Sequence, residues 1–149
     1  MKLTENFTLE ELIFSPTAIK KHINQKPSEQ ITANLKSLCE HILQPIRDHF
    51  KQTIKISSAY RSPELNKLIG GAGSSQHCLG EAADIDCNEL NPDIFKYIKE
   101  HLEFDQLIWE FGTDAEPDWV HVSFSKDRKR KQVLKAVKVK GKTQYIPYV

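Results

Sequence analysis

The stretch SSQHCLGEAADIDC, residues 74–87, constrains the fold more than any other part of the chain. It sets His77 seven positions ahead of Asp84, with Gly80, Ala82 and Ala83 between them. Glycine reaches backbone conformations closed to other residues, and the alanines leave room for close approach. The pattern predicts a turn leading into a tightly packed strand, with a loop histidine and a strand aspartate converging on one point. Two such ligands do not complete a catalytic zinc site, which typically takes three protein ligands and keeps a fourth position open.

The segment DWVHVSF, residues 118–124, offers the third ligand. Alternation along a strand puts Trp119, His121 and Ser123 on one face, and Val120, Val122 and Phe124 on the other. The apolar face can pack into a core while His121 looks into a cleft. Asp118 follows Pro117, where a bend could bring its carboxylate beside the metal as a general base. Glu110 and Glu116 are alternatives for that role, and Asp86 is an alternative ligand to Asp84. A zinc ion with a carboxylate able to take and return a proton suits hydrolysis of an amide.

Elsewhere the chain reads as alternating helices and strands. Thr8 with Glu11 forms a capping box, and Ser15-Pro16 makes a second helix start. Ile31, Leu35, Leu38, Ile42 and Ile46 recur at helical spacing, predicting a long amphipathic helix from Ser28 to about Phe50, which Pro45 bends or whose regular part it ends. TIKISSAY reads as a strand, Ser62-Pro63 starts a helix that Gly70-Gly71 can end, and EAADIDC reads as a strand. NPDIFKYIKEHL reads as a helix capped by Asn91, followed by the strands DQLIWEF and DWVHVSF. The fold class is α+β, a small single domain with helices flanking a mainly antiparallel sheet. It divides into N-terminal helices (1–50), a core (51–125) and a basic C-terminal hairpin (126–149).

The spaced pattern Ser75-x-His77-x-x-Gly80-x-Ala82-x-Asp84, followed by Trp119-Val120-His121, resembles the zinc D-Ala-D-Ala peptidase family. SSAYRSPELNKLIGG, with Tyr60, Arg61 and Asn66, is similar to the segment these peptidases place before the histidine motif, and LQPIRDHF to their helix end. The resemblance spans roughly residues 7–125. It implies a Hedgehog-like fold and a metallopeptidase cutting beside D-amino acids in peptidoglycan stem peptides, as carboxypeptidase or phage endolysin-type endopeptidase. One Zn2+ would be held by His77, Asp84 and His121, with Asp118 as base. Arg61 would bind substrate or stabilise the oxyanion, and Ser75, Tyr60 and Trp119 would contact substrate while Gln76 shapes the loop. Many members carry glutamate where this chain has Asp118. Because the Hedgehog signalling domain shares the fold, a non-catalytic zinc-containing wall-binding or structural module is the alternative.

The 149 residues, 39% hydrophobic and 28% charged, suffice for one domain with a buried core. Residues 126–142 hold nine of the 21 Lys and Arg and a single acid, although the net charge is only +1. No aromatic residues interleave with these lysines, so a solvated edge hairpin is expected in preference to a nucleic-acid surface. Cys39, Cys78 and Cys87 lack metal or disulfide spacing. His22, His41, His49 and His101 fall on predicted helices without ligand spacing, and Trp109 reads as core. No membrane span or signal sequence is legible, so the expectation is a monomer made in the cytoplasm, acting on the wall if released or on cytoplasmic wall fragments.

Overall fold

The computed structural model describes residues 1–149. A short hairpin, β1 (Lys2–Thr4) with β2 (Phe7–Thr8), leads into α1 (Leu9–Ile13) and α2 (Pro16–Lys20). Both helix starts use the side chains their sequence offers: Thr8 Oγ1 accepts from Glu11 N at 3.2 Å, and Ser15 Oγ accepts from Ala18 N at 3.1 Å. The long amphipathic helix forms as α3 (Glu29–Leu38), a π-helical turn (Cys39–Leu43) and α4 (Gln44–Phe50). The chain stays helical through Pro45, but its regular α-helical part ends at the π-helical turn just ahead. The wider turn just ahead, in which Gln44 N reaches back to Cys39 O, takes up the proline's missing donor and ring.

Strand β3 (Ile56–Ser58) and helix α5 (Pro63–Leu68) precede a 3-10 turn (Gln76–Leu79) and β4 (Ala82–Ile85). Then come α6 (Asn91–His101), β5 (Gln106–Glu110), β6 (Trp119–Ser123), β7 (Gln132–Val139) and β8 (Lys142–Pro147). The six-stranded sheet runs β3-β4-β6-β5-β7-β8. Every neighbouring pair is antiparallel except β5-β7, which is parallel. The basic hairpin is therefore part of the main sheet: β7 is an interior strand and only β8 is an edge. His22 lies in a left-handed turn beyond α2.

The sheet has two unlike faces. Ala83, Ile85, Leu107, Trp109, Val120 and Val122 join Leu35, Leu38, Ile42 and Ile46 in the core. Burying each of the larger aliphatic side chains contributes about 1.5–3 kcal/mol. The opposite face carries the polar and ionisable groups and is left open as a cleft. Asn91 is not the cap of α6, which has no side-chain cap. Its amide instead accepts from Cys87 N at 2.7 Å and donates to Asp86 Oδ1 at 3.1 Å and to the carbonyls of Pro117 and Asp118 at 3.4 Å. No helix is long and apolar enough to cross a membrane.

Candidate metal centre

Strand register brings the metal-binding side chains together. Asp84 of β4 pairs with His121 of β6, and His121 pairs with Ile108 of β5. Side chains directly opposite share a face at about 5 Å, so Asp84 and His121 must meet in the cleft. His77 arrives from the 3-10 turn, whose start is capped by Ser75 Oγ accepting from His77 N at 3.2 Å. Gly80 ends the turn at φ +72°, and a Cβ there would lie 2.8 Å from Ile31 O and 3.1 Å from Leu35 Cγ. Only glycine lets the loop sit this close to α3.

One potential ligand atom from each of His77, Asp84 and His121 lies within 4.8 Å of the other two. Asp84 Oδ1 is 2.9 Å from His121 Nδ1 and 3.4 Å from His77 Nε2. His77 Nδ1–H donates to the carbonyl of Ala59 at 2.6 Å, which leaves Nε2 as the free lone pair aimed at the site. Burial lowers the His77 pKa and favours neutral imidazole. Burial also opposes ionisation of Asp84, but contacts from His77 and His121 outweigh it and hold the carboxyl well below its ordinary range. Two imidazoles and one ionised carboxylate fit a divalent metal ion, once the proton that His121 Nδ1 shares with Asp84 has left.

The cleft, of about 970 Å³, extends well beyond these three residues. Glu110 lines it, on the face of β5 shared with Ile108 and directly paired with Trp119. Its side chain is 6% exposed. Burial pushes its pKa up to about 7, against the opposing pull of His121 and reinforced by the negative charge of Asp84. Ser75, Gln76, Arg61 and Trp119 also line the cleft. Arg61 makes no ion pair with any carboxylate, and its buried Nε has no partner. The Arg61 backbone N–H, donating to His77 O at 3.1 Å, fixes it beside the metal loop.

Several expected site residues stand elsewhere. Tyr60 is buried in the hydrophobic core rather than lining the cleft. Asp118 is exposed at the bend just before β6 and lies outside the lining, and its backbone N donates to Glu110 O at 2.9 Å. Glu116 is exposed in the β5–β6 connection. Asp86 lies past the end of β4 and accepts from Asn88 N and Asn91 Nδ2, so it is occupied away from the metal row. Cys78 is a free thiol outside the cleft lining.

The profile of the Peptidase M15 family matches residues 5–123. The chain belongs to the peptidase M15 family. No curated protein matches it. The M15 assignment makes the chain one of a family of metal-dependent peptidases acting on peptide-containing substrates, and the His77–Asp84–His121 cluster supplies a possible metal site. The family match stops at Ser123, yet the cleft does not: Gln132 and Leu134 of β7 and Thr143 and Tyr145 of β8 also line it. Sequence reading missed these residues because only the sheet register reveals that the hairpin continues the cleft face. Row by row, Trp119 pairs with Glu110, Glu110 with Ala136 and Ala136 with Tyr145.

Proposed function

We propose that this M15 peptidase is a zinc enzyme that hydrolyses peptide bonds next to D-amino acids in bacterial peptidoglycan stem peptides. The observation that carries the reading is the convergence of His77, Asp84 and His121 with a buried, ionisable Glu110 and an unpaired Arg61 in one cleft. When bound, zinc supplies a Lewis acid between the three ligands. Glu110, whose pKa of about 7 suits proton exchange near neutrality, takes the proton of the attacking water on its carboxylate and returns it to the departing amine. Arg61 meets the negative charge that develops on the attacked carbonyl oxygen. Trp119 provides an aromatic wall beside the scissile bond, and Ser75 holds the turn that carries His77.

Asp118 is the second candidate for the base, and its exposed position favours Glu110 over it. The test is digestion of purified peptidoglycan and synthetic stem peptides with and without chelator, with products read by mass spectrometry. Chelator-sensitive loss of terminal D-Ala identifies a carboxypeptidase, and a severed cross-link identifies an endopeptidase. Protein carrying stoichiometric zinc that cleaves none of these substrates refutes the reading and leaves a wall-binding module.

A further inference from the structure

The sheet register gives the cleft a direction. The metal row runs Asp84–His121–Ile108–Leu134 across four strands. On one side lies the Trp119–Glu110–Ala136–Tyr145 row. On the other, two residues or about 7 Å along the strands, Gln106 pairs with Gln132. Just before Gln132, Arg128 and Arg130 also line the cleft. Acid and aromatic groups thus occupy one end and guanidinium groups the other.

The two arginines are braced on Asp105, which is wholly buried immediately before β5. Arg130 donates to it through Nε at 2.7 Å, through Nη2 at 3.1 Å and through its backbone N at 3.2 Å. Arg128 adds Nε at 3.1 Å, and Gln76 Nε2 adds a bond at 3.0 Å from the turn that carries His77. Burial opposes ionisation of Asp105, but the bonds from Arg130 and Gln76 overcome it and keep its pKa below the ordinary value. Arg130 alone reaches both oxygens, so holding Asp105 does not require Arg128. Glu81, which accepts from the same Gln76 Nε2 at 3.2 Å, bonds neither guanidinium, so the two arginines share only the Asp105 carboxylate. Both Nη groups of Arg128 and Nη1 of Arg130 have no protein acceptor, while the side chains remain 53% and 43% exposed. Fixed by a buried anchor and with donors to spare, the pair is set up to receive a planar anion.

We propose that Arg128 and Arg130 form a carboxylate-binding subsite at this end of the cleft, so that the substrate presents a carboxylate one strand-row beyond the metal centre. The proposal rests on the peptidase reading above and narrows its substrate class. A stem peptide offers two such carboxylates, one at its C-terminus and one on its γ-linked D-Glu, and the experiment separates them. The Arg128→Gln variant keeps the Arg130–Asp105 pair, so the fold stays anchored.

Three synthetic probes suffice: L-Ala-γ-D-Glu-L-Lys-D-Ala-D-Ala, its C-terminal amide, and its counterpart with the D-Glu carboxylate amidated. Binding to zinc-loaded wild type and Arg128→Gln is measured by calorimetry, and kcat and KM are measured alongside. Expected is at least tenfold weaker binding of one amide by wild type, a matching loss in Arg128→Gln for peptides that keep that carboxylate, and no further loss for the amide. In kinetics the effect falls mainly on KM. The amide that wild type rejects identifies the carboxylate read. Equal effects of Arg128→Gln on all three peptides, no effect on any, or no binding of any peptide overturns the subsite. Discriminating binding without cleavage keeps the subsite and refutes the hydrolytic reading; cleavage indifferent to Arg128→Gln does the reverse. Thermal unfolding and zinc content, unchanged in Arg128→Gln, verify that the variant is intact, and Arg130→Lys, which keeps the charge but loses the fork, should reproduce the discrimination loss in part.

Discussion

Replacing Glu110 by glutamine should stabilise the metal-free protein, increasingly as pH rises from about 4.5 to 7. A carboxyl whose folded pKa is about 7 against an ordinary 4.5 binds more protons in the native than in the unfolded state between those values. Stability therefore falls as pH rises from about 4.5 through 7 and is level above that. The loss is roughly 3 kcal/mol, at 1.36 kcal/mol per pKa unit. Glutamine keeps the shape of the protonated carboxyl but cannot ionise, so the variant avoids the loss. At pH 8 it should be more stable than wild type by up to roughly 3 kcal/mol, or roughly 6–12 °C in Tm for a chain of this size, while at pH 4.5 the two should coincide. Calorimetric melts of both proteins in chelator from pH 4 to 9 measure this. The difference between the two curves isolates Glu110, because every other titrating group is common to both. Adding zinc should reverse the order at pH 8, since a cation beside the three ligands favours the ionised carboxylate. A stability difference independent of pH would refute the burial argument and, with it, the assignment of Glu110 as the group poised to exchange a proton.

In the zinc-loaded enzyme, Glu110→Gln should retain the metal and lose at least about a hundredfold in kcat; Asp118→Asn should stay within a few-fold, and the reverse result would make Asp118 the base. His77→Ala removes one ligand and the contact to Ala59 O, so equilibrium dialysis should find zinc binding weakened by orders of magnitude and peptide hydrolysis lost together. Gly80→Ala places a Cβ 2.8 Å from Ile31 O at φ +72°, and urea unfolding should show a loss of more than about 1–2 kcal/mol, the ordinary cost of a left-handed non-glycine residue. Asp105→Asn removes the buried anion that Arg128 and Arg130 hold, and because both guanidiniums are half-exposed it should destabilise the fold by about 1.5–3 kcal/mol in the same assay.

Much of this architecture was legible because it is local. The helix starts at Thr8, Ser15 and Ser62 follow from side chains three residues from the amides they cap. The turn at Gly80 and the facing of His121 follow from short-range backbone rules. What was not legible has a different origin. Asn91 has the composition of a cap, but the polar groups of Asp86 and Cys87 just before it and of the distant Pro117–Asp118 segment compete for its amide and win. Pro45 ends the regular α-helical part as its ring and missing donor suggest, while packing of Ile42, Leu43 and Ile46 into the core carries the helix on around a widened turn. In both cases tertiary contacts outweigh a local preference worth about 1–3 kcal/mol.

Glu110 and the Arg128–Arg130 pair show where reading one strand at a time ends. Alternation alone puts Glu110 on a face with Gln106 and Ile108, but nothing within QLIWEF says which face meets His121. That follows only from the pairing of Ile108 with His121, a relation between segments that slips by a whole face if the register moves one residue. The same register puts Glu110 in the cleft lining, whereas Asp118, nearer in sequence to His121, sits exposed at the bend before β6 and outside that lining. The basic tract was harder still, because its parallel pairing with β5 is not signalled by any hairpin turn. Most of its lysines face solvent as charge patterning suggests, and its two arginines stay half-exposed but are tied by hydrogen bonds to the buried Asp105, so the decisive feature of the most basic segment is an acid that precedes it by more than twenty residues.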